Sequence, residues 1–202
     1  MDKKAMFKIS YGLYVLTART GNFSNGCIIN TLSQVTTTPN RVSITVNKSN
    51  YTCYMIKQSG RFNVSLIDES ADFSLFQHFG FSSGRWENKF YRFTSIRAEN
   101  GIPYVPEHTC AYICCKVVQS IDLGTHIMFI ADVDDCESLS DKPPMTYAYY
   151  HANVKPKPAA KAEQGKEKWV CNICGYIYEG ALPSDFICPI CKHGAEDFSL
   201  VK

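Results

Sequence analysis

Four cysteines close to the C-terminus, Cys171, Cys174, Cys188 and Cys191, form two C-x2-C pairs separated by thirteen residues. In each pair the first cysteine enters a tight turn and the second leaves it, so both sulfurs point the same way and two pairs close a tetrahedron. Four sulfur donors in that arrangement suit zinc or iron. Two disulfides would use the same residues, but they need an oxidising compartment that nothing else in the sequence suggests. At 202 residues and 45% hydrophobic content, the chain can also build a core without covalent staples. The spacing therefore predicts a metal site on Cys171, Cys174, Cys188 and Cys191.

The residues around the pairs read Trp169-Val-Cys-Asn-Ile-Cys-Gly-Tyr-Ile-Tyr178, then Asp185-Phe-Ile-Cys-Pro-Ile-Cys191, then Asp197-Phe198. This stretch resembles a rubredoxin with less chain between its two cysteine hooks. The resemblance implies iron, with structural zinc as the alternative. Gly175 would let the first turn take a positive φ and aim backbone N–H groups at sulfur. Trp169, Tyr176, Tyr178, Phe186 and Phe198 would supply an aromatic core to a module otherwise too small to have one. The sequence departs from the family pattern at Lys192, where a second glycine is usual, although Gly194 follows closely.

Length and composition allow one mid-sized domain and one small one, which we expect at residues 1–152 and 168–202. Between them, residues 153–167 turn abruptly to lysine, proline and alanine without apolar periodicity, as a linker does. The net charge of +2 argues against a nucleic-acid binder. Residues 169–202 oppose that reading further, because Lys192 and Lys202 stand against Glu179, Asp185, Glu196 and Asp197, a net charge of −2 before any metal is counted. The start of the chain lacks the apolar core and cleavage site of a signal peptide, and no apolar run approaches the ~20 residues that span a bilayer. A cytoplasmic protein with no membrane partner is expected, its other six cysteines (27, 53, 110, 114, 115 and 136) being buried or free thiols.

The elements ahead of the cysteine module read mainly as strands. Tyr11 to Ala18 is one, followed by a turn at Thr20-Gly21-Asn22, and Gly26 to Thr37 is a second, stopped by Pro39. Arg41 to Asn47 alternates cleanly, with Val42, Ile44 and Val46 on one face. Ser49 or Asn50 can cap a helix running towards Gly60. Phe62 to Ile67 is another strand and Ala71 to Phe79 a short helix. Cys110 to Val118 and His126 to Val133 form a long pair joined through Asp122-Leu-Gly-Thr125. Many strands with short helices suggest a barrel, and the absence of G-x-G-x-x-G leaves a Rossmann domain without support. Ser49 to Thr52 would set N–H groups and hydroxyls at a helix start, where an anion is favoured. Ser83-Gly84-Arg85 and Lys89 add two cations, although a plain N-cap and a charged loop would read the same way.

The succession Gly26-Cys-Ile-Ile-Asn-Thr-Leu-Ser-Gln-Val-Thr-Thr-Thr-Pro39, Asn47-Lys-Ser-Asn-Tyr-Thr52, Ser83-Gly-Arg85, Lys89-Phe90 and Gly124-Thr-His126 resembles the flavin reductase family across residues 6 to 152. The resemblance implies a mainly β fold, an FMN-binding split β-barrel with short helices. It places Asn30, Thr31, Gln34 and Thr36 along the isoalloxazine ring, and Lys48, Asn50 and Thr52 along the ribityl chain and phosphate. Ser83, Gly84, Arg85 and Lys89 complete the phosphate pocket as charge-assisted donors. His126 falls where the family often has a Gly-Asp-His turn near the nicotinamide, which makes it the catalytic candidate, here with Thr125 in place of the acidic residue.

The whole arrangement resembles the high-molecular-weight rubredoxins of anaerobic bacteria. This implies electron flow from NAD(P)H through FMN to an Fe(Cys)4 centre and on to an external acceptor, in that family a flavodiiron protein reducing nitric oxide or dioxygen. Split-barrel flavoproteins of this kind are commonly dimers, so the resemblance also implies a homodimer. The competing expectation is a non-catalytic FMN and iron carrier reduced by another protein, and a third is a flavin reductase docked by a zinc-bound tail.

Overall fold

The computed structural model describes residues 5, 8–156, 167–172, 176–188 and 193–201. The linker core at 157–166 and Cys174, Gly175, Cys191 and Lys192 lie outside them. The larger unit is one antiparallel sheet of seven strands: β1 (Tyr14–Thr20), β2 (Phe23–Ile29), β3 (Ser33–Thr37), β4 (Asn40–Asn47), β5 (Arg61–Ile67), β8 (Thr109–Asp122) and β9 (His126–Ser138). Their order is β2-β1-β5-β8-β9-β4-β3. Two-residue strands β6 (Ile96–Arg97) and β7 (Pro103–Tyr104) pair separately.

The sheet curls because both of its flanks need the same core. Leu16 and Ala18 of β1 and Cys27 and Ile29 of β2 pack in one cluster with Val42, Ile44 and Val46 of β4 and Ile127, Phe129 and Ala131 of β9. Strands near opposite ends of the order thus meet across one interior, which makes the sheet a barrel. Helix α1 (Tyr51–Ser59) contributes Cys53, Met55 and Ile56 to that interior. It ends at Gly60, whose φ of 66° is the left-handed position that a Cβ disfavours.

Alternation decides which strands are buried on both faces. β4 buries every second residue, as its period-two pattern predicts. β1 buries four in a row because its other face meets a second cluster: Leu13 and Val15 pack with Ile67, Leu75, Phe76, Phe79, Met145 and Tyr150. That layer includes α2 (Phe73–Gly80), started by Asp72, whose carboxylate accepts the Ser74 N–H, and α3 (Tyr147–Tyr149), which runs on into a π turn at Tyr150–Val154.

The single strand expected from Gly26 to Thr37 is two strands, because the chain bends at residues 30–32 to carry β3 to the far end of the sheet. β8 and β9 run beyond Val118 and Val133, to Asp122 and Ser138, with register shifts that let so long a pair follow the barrel's curvature. The C-terminal module is a three-stranded sheet in the order β11-β10-β12, formed by β10 (Lys168–Cys171), β11 (Ile177–Glu179) and β12 (Phe198–Val201). No helix among the described residues is long and apolar enough to cross a membrane.

Candidate functional site

A cavity of about 310 Å³ opens where the start of α1 faces the loop after α2. Gly26 and Cys27 of β2, residues 49–52, residues 80–84 and Lys89 line it. The structure therefore brings together Asn50, Thr52, Ser83, Gly84 and Lys89 of the predicted phosphate set. Asn50 is the N-cap of α1, but its side chain caps nothing. The Tyr51 and Thr52 N–H groups that begin the helix have no acceptor within it, and the dipole there favours negative charge.

Lys89 supplies the cavity's buried cation. Its side chain is 2% exposed, and its ammonium donates to the carbonyls of Gly26 (3.0 Å) and Phe79 (2.8 Å). These partners are neutral, so burial pushes the Lys89 pKa below its usual value, against the smaller opposing pull of Cys27 and Glu87. A buried ammonium bonded to neutral carbonyls has lost its hydration without gaining a directly bonded counter-charge, and a phosphate dianion in the cavity would provide one. Cys27, beside it, has its thiol pushed up to about 11, chiefly by burial, despite a hydrogen bond with Thr52 and the nearby Lys89.

The loop is shaped by a residue that motif reading passed over. Asn25, fully buried on β2, donates through Nδ2 to the carbonyls of Gly84 (3.2 Å) and Glu87 (2.8 Å), and its Oδ1 accepts the Gly26 N–H. Gly84 lies so close that a Cβ there would stand 2.8 Å from the Asn25 Cγ. The only signal in the sequence was that Asn25 is polar inside a run that buries both faces. Arg85 is not part of the cavity wall, but its Cζ stands 5.5 Å from the ring centre of Tyr51, which is.

The remaining predicted residues lie elsewhere. Lys48 is exposed and paired with Asp122 at 2.6 Å. Thr31 Oγ1 donates to the Thr45 carbonyl (2.7 Å) and accepts the Thr45 N–H (3.0 Å), which ties the bend before β3 to β4. Asn30 is half-buried at that bend. Gln34 and Thr36 are exposed on the β3–β4 hairpin, where Gln34 donates to Asn40 and Thr36 to the Pro39 carbonyl. His126 opens β9 opposite Asn47, with Nδ1 2.8 Å from Thr125 Oγ1, and is not part of the cavity wall.

Cys171 and Cys188, the first cysteine of each pair, are 1% and 0% exposed and share one cluster. The two hooks close alike: the Cys171 N–H donates to the Tyr176 carbonyl and the Cys188 N–H to the His193 carbonyl, each at 2.8 Å and each across five residues. The second hook thus spans the same bond as the first despite the absence of glycine at position 192. Around the two sulfurs stand Phe198, Trp169, Tyr176, Tyr178 and Phe186, the expected aromatic set, joined by Leu182. Phe186 anchors it, with ring centres 4.5 Å from Tyr178 and 5.4 Å from Phe198. One further member comes from the barrel: Phe81, the residue that ends α2.

Comparison with known proteins agrees with this geometry. Residues 6–157 match the flavin reductase like domain, and residues 169–199 the rubredoxin-like domain of rubrerythrin. The chain belongs to the flavin reductase-like family. It is 35% identical to the high molecular weight rubredoxin of Moorella thermoacetica over the whole of both chains. A ferric-chelate reductase (NAD(P)H) of Archaeoglobus fulgidus is 37% identical over 78% of this chain and 93% of its own length. Among solved structures, the NADH:FAD oxidoreductase of Streptomyces globisporus has a TM-score of 0.65 at 19% identity, covering 71% of this chain and 85% of that one.

This flavin reductase-like chain is an NAD(P)H-dependent oxidoreductase whose cofactors are FMN and iron. Its residues fit both groups. The buried Lys89 ammonium, the uncapped start of α1 and the cradle at Gly84 suit a flavin phosphate. The paired hooks and their aromatic shell suit a thiolate-bound iron.

Proposed function

We propose that this chain is a two-module electron relay: NAD(P)H reduces FMN in the barrel, the electrons pass to the iron centre, and an external protein collects them there. The observation that carries the reading is the seam between modules. Phe81 belongs to the aromatic shell around Cys171 and Cys188, and it also lines the cavity that holds Ser83, Gly84 and Lys89. FMN supplies the conversion this route requires, from a two-electron hydride donor to an Fe(Cys)4 acceptor that takes one electron at a time. The chain's own residues bind and orient. Lys89, Thr52, Asn50, Ser83 and Gly84 hold the phosphate, Arg85 and Tyr51 close the mouth, and Thr31 braces the bend that leads Asn30, Gln34 and Thr36 to the ring. Lys48 reaches the phosphate side only by leaving Asp122, and His126 serves the nicotinamide.

For the acceptor we propose a flavodiiron protein reducing nitric oxide or dioxygen. The resemblance to high-molecular-weight rubredoxins supports it, and so does the net charge of −2 over residues 169–202, which favours a basic docking face. A homodimer is proposed on the same resemblance.

Anaerobic mixing with NADH and then NADPH tests the relay. The flavin absorbance should bleach first and the iron band after it, and Cys174→Ser should keep the first bleaching while stopping delivery to the acceptor. If neither nicotinamide bleaches the flavin, the chain is a carrier reduced by another protein. If Cys174→Ser slows both steps equally, the order of electron flow is wrong.

A further inference from the structure

The flavin cavity is not built by the barrel alone. His193, the residue whose carbonyl closes the second cysteine hook, lines the same cavity as Ser83, Gly84 and Lys89. Phe81, also part of that wall, packs against the buried cluster of Cys171, Cys188 and Phe198 in the iron-binding module, as Trp169, Tyr176, Tyr178 and Phe186 do. The module therefore meets this short segment at the cavity itself: Phe81 lines the cavity while packing against the module's cluster, and the module's His193 lines the same cavity.

We propose that His193 and Phe81 seat the iron-binding module on the phosphate end of the flavin cavity, so that both modules hold the flavin phosphate and its binding and module docking strengthen each other. The inference rests on the reading of the cavity as the phosphate site. Its chemistry is that of an imidazole N–H donating to a phosphate oxygen, a charge-assisted bond to an anion that already faces Lys89. Phe81 sets the distance by filling the module's shell from the barrel side. Because coupling is reciprocal, whatever the docked module adds to phosphate affinity, the phosphate adds to docking. FMN then favours the arrangement that holds the iron hooks against the flavin domain, and riboflavin, which lacks the phosphate, does not.

Full-length protein freed of flavin is titrated with FMN and with riboflavin by fluorescence quenching, as wild type, His193→Ala and Phe81→Ala, with the visible iron band confirming a loaded module. The wild type should prefer FMN. His193→Ala should weaken FMN by about tenfold, the scale of one hydrogen bond to a charged group, and leave riboflavin unchanged. Phe81→Ala should move FMN the same way. If the wild type binds both flavins equally, the phosphate reading of the cavity falls. A wild type that prefers FMN, with both variants keeping the full preference, overturns the docking inference alone. Should His193→Ala lose the iron band, Phe81→Ala decides, with riboflavin affinity reporting whether the barrel itself is intact.

Discussion

Cys27 and Lys89 both line the cavity proposed for the flavin phosphate, and each is shifted towards its neutral form chiefly by burial. For the thiol this has a measurable consequence. Its folded pKa of about 11 lies above the thiol's ordinary value of 9.0, so between these two values the unfolded chain gives up its proton first and the folded chain retains it. Stability therefore falls as pH rises through that window, by on the order of 1 kcal/mol at pH 10 from this residue. Urea unfolding at pH 8 and pH 10 should show a smaller loss for Cys27→Ala than for the wild type. An identical loss in both would place the titration elsewhere, with Cys114, pushed up to about 12 by burial and by Asp135, as the next group to examine.

Between elements, the cavity depends on how the loop after α2 is held against β2. Asn25 makes that connection through two carbonyls, and Gly84 allows the approach. Gly84→Ala sets a Cβ 2.8 Å from a buried, fully engaged amide, so the loop has to move and both bonds lengthen. FMN affinity should drop by roughly tenfold while the barrel's unfolding midpoint changes little, because Gly84 is not a member of the main core cluster. Flavin titration alongside thermal unfolding checks this. Unchanged affinity would mean that the loop does not shape the phosphate site.

For the molecule as a whole, the long hairpin of β8 and β9 carries apolar residues that the described residues leave largely open: Val118 is 44%, Ile121 38% and Leu123 51% exposed. Such a row on one hairpin suits contact with a second copy. Light scattering should give about twice the chain mass, and Ile121→Lys with Leu123→Lys should reduce it to the monomer. A wild-type monomer at micromolar concentration would sink the dimer.

Much of this was legible in the chain itself. Val42, Ile44 and Val46 face the core because strand geometry alternates every second residue, and the helix towards Gly60 ends where a glycine tolerates positive φ. The four cysteines and their aromatic neighbours carry their chemistry in their spacing, which is local. The strand breaks and site membership were set by distant partners. Lys48 is engaged by Asp122, 74 residues away, and Asn25 holds Gly84 across 59. Only the folded chain brings Phe81 and His193 to one cavity, because two modules separated by a linker have no local pattern that records where they meet.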